Sequence, residues 1–312
     1  KISLGSAQII SSSIERFITN FGRLIRQAND IFQNYLFVLD YEKLMNLEEE
    51  SVTDGLPIPN ILHEGLEFKD VWFKYPRNPN WTLKGVSFKI NLTDNIAIVG
   101  ENGAGKTTII KLLCRFYQPS QGEILLNGIN IQNYNFHDYR RIISALFQDF
   151  AQYPFSAEDN IHFGDIEKKN KKSSIRRAAK LTGIDDFLRS LPLKYKNPLD
   201  KEFENGIEPS KGQWQRIALA RILYRDAEIL ILDEPTSNVD PKSEEEIFEK
   251  VLRVAKDKIV FLVSHRFSTV RKADKILVLE HGKIVEYGTH SELMNTNGRY
   301  KELFEIQAQS FR

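Results

Sequence analysis

The chain has 312 residues, a length that allows one large domain or two modest ones. Its 43 lysines and arginines against 42 aspartates and glutamates leave a net charge of +1, which argues against a dedicated nucleic-acid binder, because such proteins carry a basic excess. Hydrophobic residues make up 41% of the chain, which is enough for a large core and excludes global disorder. The single cysteine, Cys114, excludes a framework of intrachain disulfides and fits a reducing compartment.

The first 45 residues are predicted to form one long amphipathic helix. Apolar residues between Ile9 and Ile25 recur at helical spacing, and no proline appears before Pro57. The helix is expected either to lie on a domain surface or to be the cytosolic end of a truncated helical domain. No apolar run reaches the ~18–20 residues that span a bilayer. The chain begins at Lys1 rather than at methionine, so we expect a fragment of a longer protein without a visible signal peptide.

After this helical extension, assigned to residues 1–46, turn and extended-chain signals predict a linker over 47–65. The pattern then changes to strands, first with alternating apolar residues and later with short, wholly apolar runs that are typical of buried strands. Helical patterns lie between these runs, which favours an α/β core. The stretch at about 150–215 is poor in strand signals and is predicted to be a helical insertion.

Residues 100–108, Gly-Glu-Asn-Gly-Ala-Gly-Lys-Thr-Thr, match the phosphate-binding pattern G-x-x-x-x-G-K-[ST]. A strand is predicted before them at 96–99, and a helix after them at 108–116. Glycines let backbone N–H groups approach phosphates without a Cβ clash, and a helix N-terminus adds partial positive charge. Lys106 is expected to reach the β- and γ-phosphates, and the Thr107 hydroxyl to ligate Mg²⁺. The expected contacts to the nucleotide are Gly100, Glu101, Asn102, Gly103, Ala104, Gly105, Lys106, Thr107 and Thr108.

A second apolar strand, which begins at Ile229, ends in the two carboxylates Asp233 and Glu234. Ligands bind at the carboxyl ends of strands in such sheets. We therefore expect Asp233 to hold Mg²⁺, directly or through water, and Glu234 to orient or deprotonate the attacking water.

These motifs, with further residues in the same order, resemble the nucleotide-binding domain of ABC transporters of the exporter type. The resemblance covers about residues 66–306. It implies that Tyr75 stacks on adenine, that Gln148 touches Mg²⁺ and relays to the membrane domain, and that His265 contacts the γ-phosphate. Ser210, Gly212 and Gln213 occupy the signature position, which binds a nucleotide held by a partner, and Asp240 lies in the D-loop that follows Glu234. The residues expected to act in catalysis are thus Lys106, Gln148, Glu234 and His265, and those expected at the metal are Thr107, Gln148 and Asp233.

The resemblance also implies a fold. It is an α/β fold, a P-loop NTPase (RecA-like) core with an antiparallel β-subdomain and a helical subdomain, and the whole nucleotide-binding domain is expected over 66–312. The extension at 1–46 then resembles the end of the last transmembrane helix, with its membrane domain absent from this chain. The implied cofactors are ATP and Mg²⁺, and the implied place is the cytoplasmic face of the cell membrane. The implied partners are a transmembrane domain and a second nucleotide-binding domain.

The signature departs from the family's usual Leu-Ser-Gly-Gly-Gln, because residues 209–213 are Pro-Ser-Lys-Gly-Gln. Lys211 adds a Cβ, a long chain and a cation where the backbone approaches a phosphate. An intact Glu234 beside an altered signature favours a heterodimer with one competent and one impaired ATP site. A homodimer with two slightly altered sites and a dimer that does not transport remain open.

The function that the resemblance implies is an ATP-hydrolysing motor domain of an exporter, which couples Mg-ATP binding, dimer closure and hydrolysis to export. Two other classes of function remain open on the sequence. One is a soluble ABC-type ATPase that acts on DNA or ribosomes, and the other is a nucleotide-gated binding module that does not hydrolyse. The transported substrate is not readable from the cassette. Short stretches beside the motifs, at 147–150 and 212–215, are similar to bacterial peptide exporters of the lantibiotic type.

Overall fold

The computed structural model describes residues 4–46, 55–59, 61–169, 172–235, 241–264 and 266–310. Asp240, His265 and part of the predicted linker, residues 47–54 and 60, lie outside these ranges. The chain divides into two compact units, Lys1–Val52 and Thr53–Arg312.

The first unit contains helix α1 (Leu4–Met45), so the long helix predicted there is confirmed. Its apolar side chains are exposed; Phe17, for example, is 70% exposed and stacks on Phe21. No stretch of any described helix is apolar enough to cross a lipid bilayer.

The second unit contains two sheets and the helices that pack on them. The strands are β1 (Leu66–Phe73), β2 (Leu83–Ile90), β3 (Asn95–Val99), β4 (Gln121–Leu126), β5 (Ile129–Asn130), β6 (Ile143–Leu146), β7 (Ile229–Asp233), β8 (Ile259–Val263), β9 (Lys275–Glu280) and β10 (Lys283–Gly288). The helices are α2 (Lys106–Leu113), α3 (Phe136–Arg141), α4 (Ala157–His162), α5 (Lys172–Leu181), α6 (Asp185–Ser190), α7 (Lys211–Arg225), α8 (Pro241–Val254), α9 (Phe267–Val270), α10 (His290–Asn295) and α11 (Arg299–Ser310), with 3₁₀ turns at Ile131–Asn133 and Lys194–Lys196.

The larger sheet has the strand order β10-β9-β3-β8-β7-β6, and its strands run parallel from β9 to β6. Both faces of its central strands β3, β7 and β8 are buried. In β3, Ile96 and Ile98 join one hydrophobic core, whereas Ala97 and Val99 join another. Side chains alternate across a strand, so a strand covered on both faces must be apolar throughout. This explains the short apolar runs, and the predicted α/β core is confirmed.

The smaller sheet is antiparallel, with the order β2-β1-β4-β5, as the predicted β-subdomain requires. In β1 the alternation of buried and exposed side chains is interrupted between Phe68 and Val71, where the pairing register with β2 shifts. Asp70 lies at this bulge with a φ of 45°. The bulge keeps both Phe68 and Val71 buried although they are three residues apart.

The helical part of the molecule has a core of its own. Helices α4, α5 and α6 pack with the first turns of α7 around Trp214, Ile217 and Ala220. Helix α7 continues past the predicted limit of 215 to Arg225, because Ala218 and Leu219 on its other side pack into the core of the larger sheet. One helix therefore belongs to both cores.

Part of the predicted linker is attached to this second unit. The Leu56 N–H donates to the Asn133 carbonyl (2.7 Å), and the Asn135 N–H donates to the Leu56 carbonyl (2.8 Å).

Candidate active site

The loop between β3 and α2 has a conformation that depends on glycine, as Gly100 and Gly103 illustrate. A Cβ on Gly100 would lie 2.1 Å from the Leu279 carbonyl oxygen, so Gly100 allows the loop to pack against β9. Gly103 has a φ of 81°, and a Cβ there would meet no atom within 4 Å. The backbone at Gly103 thus faces open space, and an anion has room to approach it closely.

Lys106, at the start of α2, is 7% exposed. Its Nζ donates hydrogen bonds to the carbonyl oxygens of Gly100 (2.8 Å) and Glu101 (2.9 Å). Burial lowers the Lys106 pKa, and the nearby negative charges of Glu234 and Asp233 oppose that shift. Within the described part of the chain, both hydrogen-bond acceptors of this ammonium are neutral carbonyls, which it can exchange for phosphate oxygens to form stronger, charge-assisted bonds.

Helix α2 differs from the predicted helix at 108–116. It begins two residues earlier, at Lys106, and ends at Leu113. Arg115, two residues after the end, has a φ of 54°, and this left-handed conformation cannot continue a helix.

The carboxyl end of β7 meets the loop through a hydrogen bond. The Thr107 hydroxyl donates to Asp233 Oδ2 over 3.2 Å. Asp233 is 5% exposed, and burial raises its carboxyl pKa, although the Thr107 hydrogen bond and the Lys106 charge act against the rise. A hydroxyl and a carboxylate oxygen are the hard ligands that Mg²⁺ takes from proteins when phosphates supply others. The donor set therefore fits this ion.

Glu234 follows β7 in a left-handed conformation, with a φ of 49°. Its N–H donates to the Val263 carbonyl at the end of β8 (2.9 Å). Its Oε2 accepts a hydrogen bond from Gln148 Nε2 (3.1 Å). The structure thus brings together five residues that the sequence predicted to act in catalysis or at the metal: Lys106, Thr107, Gln148, Asp233 and Glu234.

Tyr75 lies beside the same helix. Its hydroxyl and the Thr108 hydroxyl are 3.1 Å apart and share a hydrogen bond. Phe73 and Tyr117 pack edge-on against its ring, and Lys111 Nζ lies 5.7 Å from the ring centroid. The half-buried ring is therefore fixed next to the end of the loop.

The signature residues lie at the N-terminus of α7. Ser210 caps this helix: its hydroxyl accepts from the Gln213 N–H, and the Gln213 side chain accepts from the Ser210 N–H (2.8 Å). No hydrogen bond or ion pair among the described residues joins Ser210, Gly212 or Gln213 to the loop at 100–108. Lys211 is the first residue of α7 and is exposed, so the fold accommodates its side chain.

Hydrogen bonds and an ion pair fix the rest of the loop, and two of these contacts come from Gly282 and Arg299. The Gly282 N–H donates to the Ala104 carbonyl (3.1 Å), and the Ala104 N–H donates to the Glu101 carbonyl (3.2 Å). The Glu101 carboxylate pairs with Arg299 of α11, which also contacts Glu280 and Glu302. Asn102 is exposed.

Sequence reasoning missed Arg299 and also Gln215, whose Nε2 donates to the Glu234 carbonyl (3.0 Å). No pattern in the sequence marks either residue. A basic residue in a helix and a glutamine two positions after the signature are both compatible with ordinary surface roles.

Comparisons with known proteins identify the family. A family model described as ABC transporter matches residues 83–237. The subtilin transport ATP-binding protein SpaT of Bacillus subtilis is 36% identical over 308 residues, which cover 98% of this chain and 50% of SpaT. The chain belongs to the ABC transporter family. It is an ATPase domain of that family, of the exporter type.

Other relatives carry different names. An ATP-dependent lipid A-core flippase of Legionella pneumophila is 40% identical over 254 residues, which cover 81% of this chain and 42% of the flippase. A solved structure of a bacterial Atm1-family ABC exporter with ATP bound superposes with a TM-score of 0.79 at 32% identity, covering 89% of this chain and 48% of that one. The chain thus spans half or less of the length of these relatives.

The buried Asp233 generates a prediction about stability. Folding raises the pKa of this carboxyl above its unfolded value, so ionisation costs stability as the pH rises from the unfolded toward the folded pKa. Asp233→Asn should therefore unfold at a higher temperature than the wild type at pH 7 without nucleotide, with a smaller difference near about pH 4. Its Mg²⁺-dependent ATP affinity should fall about 10- to 100-fold. A lower melting temperature at pH 7 would contradict this reasoning, and calorimetry with titration of ATP checks both parts.

Proposed function

We propose that the chain is the motor domain of an ABC exporter, which hydrolyses ATP and couples binding, dimer closure and hydrolysis to export across a membrane. The observation that carries this proposal is the junction of the loop at 100–108 with the ends of two strands. There Thr107 bonds to Asp233, and Gln148 bonds to Glu234. The metal-binding and proton-accepting groups are thus joined in two hydrogen-bonded pairs, and the charge of Lys106 lies near both carboxylates.

Each residue has a separate task in this proposal. Lys106 binds the β- and γ-phosphates, and Thr107, Asp233 and Gln148 hold Mg²⁺, which neutralises charge on the transferred phosphoryl group. Glu234 orients the attacking water and accepts its proton at the carboxylate. Catalysis then rests on positioning and on fixed charge rather than on a covalent intermediate.

Tyr75 is assigned to the adenine ring, and the rest of the loop to the phosphates. His265 and Asp240 keep the roles that the family resemblance implies, at the γ-phosphate and in the D-loop. Ser210, Gly212 and Gln213 are assigned to the nucleotide of a partner cassette. Among the described residues, the hydrogen bonds of Ser210 and Gln213 stay within the first turn of α7, which is compatible with a role in trans.

The partners in this proposal are a second nucleotide-binding domain and a transmembrane domain, with the motor at the cytoplasmic face of the membrane. Lantibiotic-type peptide is the proposed substrate class, because the match to the subtilin transport protein SpaT extends over 98% of this chain. The flippase matches over 81% and is named for a lipid, so transport of labelled peptide and lipid by the full exporter separates the two.

Glu234→Gln should lower the ATP turnover of the chain about 100-fold or more, because it removes the proton acceptor. ATP affinity should change little, since the substitution is isosteric. Phosphate release and binding of a fluorescent ATP analogue measure the two quantities. Turnover retained in Glu234→Gln would remove Glu234 as the base.

Lys106→Ala should act on binding itself. It removes charge-assisted hydrogen bonds to the phosphates, so ATP affinity should fall about 10- to 100-fold. Lys180→Ala, at an exposed position in the last turn of α5, is the matched control. Equal affinities of Lys106→Ala and wild type would show that the loop does not bind the nucleotide.

The altered signature supports a heterodimer, in which this chain brings an intact Glu234 and its partner brings the usual signature. Lys211 is then the residue that limits hydrolysis when two copies of this chain meet. A side chain at this position keeps the backbone of α7 from the partner's phosphate.

Lys211→Gly should accordingly raise the turnover of the chain assayed alone, by about tenfold for each 1.4 kcal/mol of recovered transition-state contact. The assay covers a series of protein concentrations, because two cassettes must meet. Lys172→Gly, at the exposed first position of α5, is the control. Rapid turnover by the wild-type chain alone, unchanged in Lys211→Gly, would contradict the heterodimer and leave a homodimer.

A further inference from the structure

Gln215 connects helix α7 to the main chain of Glu234. It is 2% exposed, and its Nε2 donates to the Glu234 carbonyl oxygen over 3.0 Å. The two residues are 19 positions apart in sequence, so this contact depends on how α7 packs against the end of β7. Loss of either partner would leave a buried polar group without its hydrogen bond, which lowers the stability of the fold.

The backbone that Gln215 contacts has an unusual conformation. Glu234 has a φ of 49°, which a residue other than glycine adopts only when its surroundings fix it. Its N–H is fixed by the Val263 carbonyl of β8, and its carbonyl oxygen accepts from Gln215. The direction of the Glu234 side chain follows from this backbone, because a change in φ rotates the Cα–Cβ bond relative to the sheet.

Helix α7 carries both the signature residues and Gln215. Its N-terminus is closed by the reciprocal hydrogen bonds between Ser210 and Gln213, and Gln215 lies on the same helix, two residues after Gln213. These capping bonds stabilise the first turn of the helix. The Gln215 side chain therefore joins the helix that begins at the signature residues to the Glu234 backbone.

We propose that Gln215 is a positioning residue for hydrolysis: its amide holds the Glu234 main chain so that the carboxylate points at the attacking water. This inference rests on the proposed function of Glu234. Gln215 itself touches neither phosphate nor metal, so its loss should reduce the chemical step and leave ATP affinity unchanged.

The test compares Gln215→Met with a matched control. Methionine has nearly the same length as glutamine but no N–H donor. Ser144→Ala is the control, because Ser144 is also buried and its hydroxyl donates to the Ile222 carbonyl of the same helix (3.1 Å) away from Glu234.

Gln215→Met should lower kcat about 10- to 100-fold, since a misplacement of about 1 Å has an effect of that order. The KM for ATP should stay within about twofold of the wild type. Added to Glu234→Gln, the same substitution should cause no further loss of turnover, because both act on one group. A kcat no lower than that of Ser144→Ala, a parallel loss of ATP affinity, or an additive loss in the double variant would overturn the proposal.

Hydrogen exchange tests the positioning without turnover. In Gln215→Met, the Glu234 amide, which is bonded to Val263, should exchange faster than in wild type, whereas Ser144→Ala should leave it unchanged. Unchanged exchange in Gln215→Met would also overturn the proposal. Turnover retained in Glu234→Gln would instead defeat the proposed function, and the exchange result would still decide whether Gln215 holds this backbone.

Discussion

The buried ammonium of Lys106 lies at the carboxyl end of a parallel sheet and is held by the Gly100 and Glu101 carbonyls. Burying a cation is unfavourable unless polar groups surround it, so the loop must fold around Lys106 and the carboxylates of Asp233 and Glu234 must lie near. The loop can do so because Gly100 packs against β9 and Gly103 leaves its backbone open. The charge thus fixes the shape of the loop, and the same charge is available to a phosphate.

The parallel sheet gives this arrangement its chemistry. Strands β3, β7 and β8 run in one direction, so their last residues meet at one edge. Thr107, Asp233 and Glu234 reach that edge from different parts of the sequence, and Gln148 joins them after β6. The site is therefore an assembly of strand ends and the first turn of α2, and α7 connects it to the signature residues.

The sequence predicted the parts of the site that have a local pattern. Phosphate binding requires particular residue types at fixed spacing, so the loop at 100–108 could be identified from its sequence alone. The apolar run before Asp233 likewise indicated a buried strand. Gln148 and Tyr75 needed the family resemblance, because a single glutamine or tyrosine has no pattern of its own. Gln215 could not be predicted at all, since its partner is brought near only by tertiary packing. The early end of α2 depended on the left-handed backbone of Arg115.

The most direct test of the account is a structure of the chain in the Glu234→Gln form with Mg²⁺ and ATP. The account predicts that Lys106 Nζ leaves the Gly100 and Glu101 carbonyls and binds β- and γ-phosphate oxygens, with Mg²⁺ within ligand distance of Thr107. A nucleotide bound away from the loop, or Lys106 still bonded to both carbonyls with ATP present, would contradict it.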